Sequence, residues 1–399
     1  MRTRTTTDRL IVLAAAGMLV ACGSSSSKTG SGTSSAPSAS AATGVAAQRV
    51  AAFTAHPGTL TNTKPVKVTA GAKTLVYMQC VQVVCKEIGD AMTQASAAVG
   101  AKFVRITHQD TPATVQQAAV TALQANPAAV FTSGDPTEWF ADQIKQMNAR
   151  KIPVVAWSLP GAFTANGLSA NLLTGDDYYF DGVLEADWVA SHSGPSGESL
   201  LLNVPAYPVL ATLAQGYKDE LSKVCASCKV TEADFTVQDI ISGNVSTAAV
   251  AALQRNPKIT YVVGTFGGLI TQQLAQAVQN GGFSKVKAIS AAGTSANYAL
   301  IKSGNFQEAD LALSSGFLAW RAVDSALRVM NGQSAASTEP LPELAKIPGH
   351  PNILAGGVRQ EFVTKAAFDA AAAGSTNFDT VWSPVADYQS GFKKLWGVS

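Results

Sequence analysis

Charge is scarce in this chain: Asp, Glu, Lys and Arg make up 14% of its 399 residues. Lys and Arg number 29 against 27 Asp and Glu, and Arg2, Arg4, Arg9 and Asp8 all fall in the first 21 residues, so the remainder is balanced. A body without net charge is a poor match for nucleic acid, whose phosphates call for a basic surface. His56, His108, His192 and His350 show no ligand spacing, so neither a metal nor another cofactor is implied. Catalytic signatures are missing as well. There is no G-x-S-x-G elbow, no H-E-x-x-H and no G-x-x-x-x-G-K-[ST] loop. An enzyme is therefore not expected. Beyond residue 20 no apolar run approaches the length that crosses a bilayer.

The N-terminus has what a secreted chain needs. A basic leader, "MRTRTTTDR", precedes the apolar run "LIVLAAAGMLV", which is short for a transmembrane helix and suited to a signal peptide. The run ends in "LVAC", the lipobox pattern of bacterial lipoproteins, in which Cys22 is lipidated and becomes the new N-terminus. The Gly/Ser-rich stretch that follows lacks apolar periodicity and reads as a flexible tether. The expectation is a signal over residues 1–21, a tether over 22–45, an extension over 46–72, and a globular body leashed by lipid to the outer face of a cell membrane.

Cysteine is rare, five in all. With Cys22 assigned to lipid, the others form two close pairs, Cys80 with Cys85 and Cys225 with Cys228. Outside the cytoplasm such pairs favour disulfides over metal. "VCASCKV" has the C-x-x-C spacing of redox proteins without their small-domain context, so two local staples are expected.

Between these landmarks strands and helices alternate. "KTLVYMQC", "AKFVRITH", "AAVFTSG" and "IPVVAWSL" read as buried strands separated by amphipathic helices. The pattern resumes after Tyr178 with strands "ESLLLNV", "KVTEADF", "ITYVVGTF" and "KVKAISAAG". β-Branched runs alternating with helices indicate parallel sheets covered on both faces. An internal repeat divides the pattern in two. "AAVTALQANP" (118–127) and "AAVAALQRNP" (248–257) share eight of ten residues, and a strand and a helix follow each. Two α/β lobes whose strand ends face each other would enclose a cleft.

These features resemble the type I periplasmic-binding-protein family, in its sugar/ribose-binding-like branch of ABC importer receptors. The stretches that carry the resemblance include "QQAAVTALQANPAAVFTSGDPTEW", "KIPVVAW", "ALQRNPKITYVVGTFGG" and "LIKSGNFQEADLALSSGFLAWRAVDSALRVMNGQ", and the lipobox fits it. The ending "FDTVWSPVADYQSGFKKLWGV" is similar to that of actinobacterial lipoproteins of this group. The resemblance implies lobe 1 over 73–172 and 314–356, lobe 2 over 173–313, and a C-terminal segment, 357–399, that crosses back. It implies a monomer that captures a small-molecule solute by hinged closure and delivers it to an ABC permease and its ATPase. A ligand-sensing lipoprotein reporting to a membrane kinase is the alternative, as is a sugar-specific binder.

The chain departs from the family's sugar-binding pattern. Asn-Asp at one strand end is replaced by "GTFGG" (264–268), a Gly-Phe-Asp-Gly-like turn by "SAAGT" (290–294), and an arginine by "PVLATL" (208–213). A buried polar group without a partner costs roughly 1–3 kcal/mol, so a hexose would be poorly served here. The candidate ligand-binding residues are Gln79, Gln82, Ser133, Asp135, Trp157, Ser158, Asn203, Tyr207, Phe266 and Thr294. They suggest a neutral or weakly polar solute with a flat or hydrophobic face, stacked on Trp157 or Phe266.

Overall fold

Nearly unbroken apolar runs build the central strands of each sheet, where both faces are covered, while the edge strands Lys102–Thr107 and Lys229–Asp234 are more polar and more exposed. The computed structural model describes residues 39–54, 58–68, 73–370 and 382–398. The signal peptide, Cys22, most of the tether and His56 lie outside the described residues.

One sheet has five parallel strands, β1 (Thr74–Gln79), β2 (Lys102–Thr107), β3 (Ala129–Ser133), β4 (Val154–Trp157) and β5 (Ala170–Asn171), in the order β2-β1-β3-β4-β5. The second contains β6 (Glu198–Asn203), β7 (Lys229–Asp234), β8 (Ile259–Gly264), β9 (Lys287–Ala291), β10 (Gln307–Ala312) and β11 (Glu361–Thr364). Its order is β7-β6-β8-β9-β10-β11, the same winding, with β11 added antiparallel at the edge. The ten-residue repeat occupies equivalent places. It forms the end of α3 (Pro112–Gln124) before β3 and the end of α8 (Asn244–Arg255) before β8.

The two sheets mark two lobes. α2 (Val83–Ala98), α3, α4 (Ala141–Ala149) and α11 (Ser315–Met330) cover the first sheet. α5 (Gly175–His192), α6 (Pro208–Val224), α7 (Val237–Ser242), α8, α9 (Gln272–Asn280), α10 (Ser295–Ser303) and α12 (Lys365–Ala370) belong with the second. The chain passes between them after β5, after β10 and before β11, and α13 (Tyr388–Trp396) returns to pack on α11. Helix starts are marked by local chemistry. Thr111 and Thr174 cap α3 and α5, each bonded reciprocally with the residue three positions on. α5 and α6 lie unusually close because Gly182 and Gly216 face them. A Cβ on either would strike a carbonyl of the other helix, at Leu213 or Tyr179.

Buried charge ties the first lobe to the rest. On α11 Asp324 accepts from Arg321 at 3.0 Å, from Arg328 at 2.7 Å and from Trp396 Nε1 at 3.0 Å. Arg328 also donates to the carbonyls of Asn62 and Lys64, and Arg321 to those of Gly356 and Ala335. One helix face thus holds the N-terminal segment, the C-terminal helix and a connection between lobes.

The expected tether is shorter than read. α1 (Ala39–Ala52) begins inside residues 22–45 and packs on α5 and α6. Alanine favours helix, and Arg49 anchors it, bonding Asp187 at 2.8 Å and Glu220 at 2.6 Å. Neither carboxylate has appreciable exposure. Burial raises Asp187 to about 7 although Arg49 pulls it down. Arg49→Ala strands the buried Asp187, while Glu220 keeps Lys223 at 3.5 Å, and should cost about 3 kcal/mol at neutral pH. The loss should shrink as acid protonates Asp187. Denaturant melts of both proteins across pH check this; a loss that is small or independent of pH contradicts it.

Candidate functional site

Every βα loop of a parallel sheet leaves the carboxyl edge of the strands, so each lobe concentrates its loops on one side. The two sets meet around a cavity of about 90 Å³. From the first lobe come Cys80, Gln82, Val84, Cys85 and Ile88 after β1, Asp110 after β2, Ser133, Gly134, Asp135 and Trp139 after β3, and Trp157 and Ser158 at β4. The second supplies Tyr207, Val209 and Leu210 after β6, Phe266 after β8 and Ala292 after β9, while Tyr178 and Leu313 stand at the crossings. An engineered apolar cavity of about 150 Å³ takes up benzene. As it stands the cavity therefore fits only a very small molecule, and a larger solute would require the lobes to part.

Seven of the ten candidates from the sequence line this cavity: Gln82, Ser133, Asp135, Trp157, Ser158, Tyr207 and Phe266. Three do not, each for a local reason. Gln79 turns under α2, where its Oε1 accepts from Arg105 Nε at 2.7 Å. Asn203 is drawn sideways to β7, donating to Glu232 at 3.1 Å and Asp234 at 3.3 Å. Thr294 caps α10 through Asn297. Trp157 is fully buried, its ring centroid 5.4 Å from that of Tyr77, so it is a wall packed from behind. Its Nε1 has no acceptor among the described residues, a donor that a solute can use.

Backbone geometry helps aim the loops. Ser158 after β4 and Ala292 after β9 hold φ of 60° and 49°, and Asp110 holds 53°. Non-glycine residues reach the left-handed region only at a cost, and such strain gathers at functional sites. β4 and β9 are equivalent strands of the two sheets, so the strained position recurs with the repeat. Ser158 Oγ accepts from Tyr178 at 2.7 Å. The disulfide Cys80–Cys85 closes the loop that opens α2 and lines the cavity. Cys225–Cys228 joins the end of α6 to β7.

The residues missed from sequence form the polar floor. The His108 imidazole lies between two carboxylates, with Nδ1 3.3 Å from Asp110 Oδ1 and Nε2 3.2 Å from Asp135 Oδ2. Thr132 donates to Asp135 at 2.5 Å. The ligand atoms of this trio lie within 4.8 Å of one another. Because the carboxylates face opposite ring nitrogens, they do not converge on one metal as arranged. They flank the ring instead, whose Nδ1 also accepts from the Asp110 backbone N–H at 3.3 Å. Asp110 Oδ2 also accepts from Tyr207 across the cleft at 3.1 Å, and Tyr207 accepts from Gln82 at 3.3 Å. A second contact between lobes joins Ser295 to Glu87 at 3.1 Å. The position of Asp110 just past a strand end was the available signal.

Burial works against charge on His108, yet the two carboxylates outweigh it and raise the imidazole from 6.5 to about 9. Burial also raises Asp135, against the pull of His108 and Thr132. A raised folded value for a base means stability that is complete below 6.5 and lost as pH rises through about 9. The interval corresponds to roughly 3 kcal/mol. The melting temperature of the wild type should fall over this window more steeply than that of His108→Gln. Parallel curves for the two proteins would contradict the pairing.

A family model described as "Periplasmic binding protein domain" matches residues 82–334, more than half of the chain. Among curated proteins none matches significantly. Solved structures give the fold at low identity. A sugar ABC transporter protein from Yersinia enterocolitica aligns with a TM-score of 0.65 at 14% identity, over 82% of this chain and 96% of its own. An ABC transporter solute-binding protein from Mycobacterium smegmatis, with bound glycerol, gives 0.62 at 16%, over 77% and 99%. One from Agrobacterium vitis, with bound α-D-tagatopyranose, gives 0.60 at 18%, over 78% and 98%. With its two similarly wound lobes and a cavity at their strand ends, the chain belongs to the periplasmic binding protein family, a family of solute-binding proteins.

Proposed function

We propose that this chain is the extracytoplasmic solute-binding lipoprotein of an ABC importer, tethered through Cys22, monomeric, and closing its lobes on a small molecule that it hands to a permease and its ATPase. The observation that carries the reading is the cavity itself, enclosed by both lobes and bridged by Tyr207 and Asp110. A solute there touches both halves at once, and contacts from the second lobe add affinity only in the closed state, so binding favours closure. No helix among the described residues is long and apolar enough to cross a membrane. The lipid on Cys22 would keep the receptor at high effective concentration near its permease.

The walls support a solute less polar than a simple sugar. Five aromatic residues, Trp139, Trp157, Tyr178, Tyr207 and Phe266, surround the space together with the Cys80–Cys85 disulfide. Cavities of this character suit compact molecules held by aromatic faces and a few placed polar groups. Glycerol and tagatopyranose in the structural neighbours keep a polyol or sugar derivative as the second reading.

A thermal-shift screen of the soluble body against sugars, polyols, nucleosides and aromatic compounds should identify a stabilising solute. Calorimetry should then show affinity reduced at least tenfold, about 1.4 kcal/mol, in Phe266→Ala and in Tyr207→Ala. Binding that is indifferent to both substitutions would put the site elsewhere.

A further inference from the structure

We infer that the solute carries a positive charge, as an ammonium or similar organic cation on a compact aromatic or apolar body. The inference rests on the solute-binding reading above and narrows its ligand to one chemical class. It replaces the neutral solute suggested by the sequence.

The charge count comes first. Asp110 and Asp135 line the cavity, and among the described residues lining it there is no Lys, Arg or His. The counter-charge is His108, behind the two carboxylates and between them. One imidazolium against two carboxylates leaves one negative charge at the floor, and a neutral imidazole would leave two. Against walls of low polarity such an excess is costly unless something positive faces it.

Hydrogen-bond inventory points the same way. Carboxylates only accept. Three side-chain donors are committed, Tyr207 to Asp110, Gln82 to Tyr207 and Tyr178 to Ser158, while Trp157 Nε1 and the Ser133 and Ser158 hydroxyls are open. A sugar hydroxyl both donates and accepts, and only these three open side-chain donors would meet its accepting half. An ammonium only donates, which fits a floor that mostly accepts. The aromatic walls complete the match, because ring faces attract cations, most of all when water is excluded.

One effect opposes this. The N-termini of α2 and α6 open beside the cavity at Gln82 and Tyr207, and helix N-termini favour anions. Each amounts to about half a charge, and Pro208 at the first position of α6 removes one of its donors. With that donor lost, the two ends together supply less than one charge against the one or two negative charges left at the floor.

Three probes of similar shape test the sign of the charge: benzylammonium, benzyl alcohol and benzoate, titrated into the protein and followed by tryptophan fluorescence. Benzylammonium should bind at least tenfold more tightly than benzyl alcohol, and benzoate more weakly than either. Asp110→Asn should bring benzylammonium to the level of the alcohol, with its melting curve recorded as a check on folding. The comparison on the wild type is decisive by itself if the variant fails to fold. Equal affinities, tighter binding of the alcohol or the benzoate, or no binding of any probe at millimolar concentration overturns the inference. The solute-binding reading survives those outcomes if a neutral compound from the broader screen binds and Phe266→Ala weakens it. It falls as well if neither set yields a ligand.

Discussion

A parallel sheet cannot scatter its connections. Each strand must be followed by a crossover, and the loops that begin those crossovers all emerge at the same edge. The two sheets here share one winding order, and their loop-bearing edges meet around one cavity. The site follows from that constraint. Residues far apart in sequence, Asp110, Ser133, Trp157, Tyr207 and Phe266, become neighbours because each follows or ends a strand. Even the strained positions obey it, since Ser158 and Ala292 terminate equivalent strands in left-handed geometry.

Rigidity and mobility are divided along the same line. The Arg321–Asp324–Arg328 cluster holds α11, α13 and the N-terminal segment through fully buried groups, so breaking it would leave uncompensated charge. The contacts across the cleft are of another kind. Tyr207 to Asp110 and Ser295 to Glu87 are single hydrogen bonds, individually worth about 1 kcal/mol, roughly 1.5–3 when an acceptor is charged. Bonds of that size can be exchanged for contacts to a solute.

Much of this architecture was legible from residue pattern. The buried strands of both lobes stand where β-branched runs alternate with helical stretches, and the ten-residue repeat located equivalent elements of the two sheets. Seven cavity residues followed from the rule that strand ends bind ligands. The three that lie outside the cavity are held there by local hydrogen bonding invisible to that rule. Arg105 holds Gln79, the acids of β7 hold Asn203, and Asn297 holds Thr294. His108 was passed over because it shows no ligand spacing with the other histidines; its partners are carboxylates, one of them from another strand end. α1 hid within a stretch of small residues, because its anchors, Asp187 and Glu220, lie more than a hundred positions away.

The central claim is that two lobes, weakly latched through Tyr207 and Asp110, close on a solute between them. Energy transfer between dyes at positions 145 and 258, one on each lobe, measures their separation most directly. The account predicts an exchange between open and closed distances without solute, shifted toward open by Tyr207→Phe and collapsed to the closed distance by the solute. A single distance, unchanged by either the solute or the substitution, would contradict it.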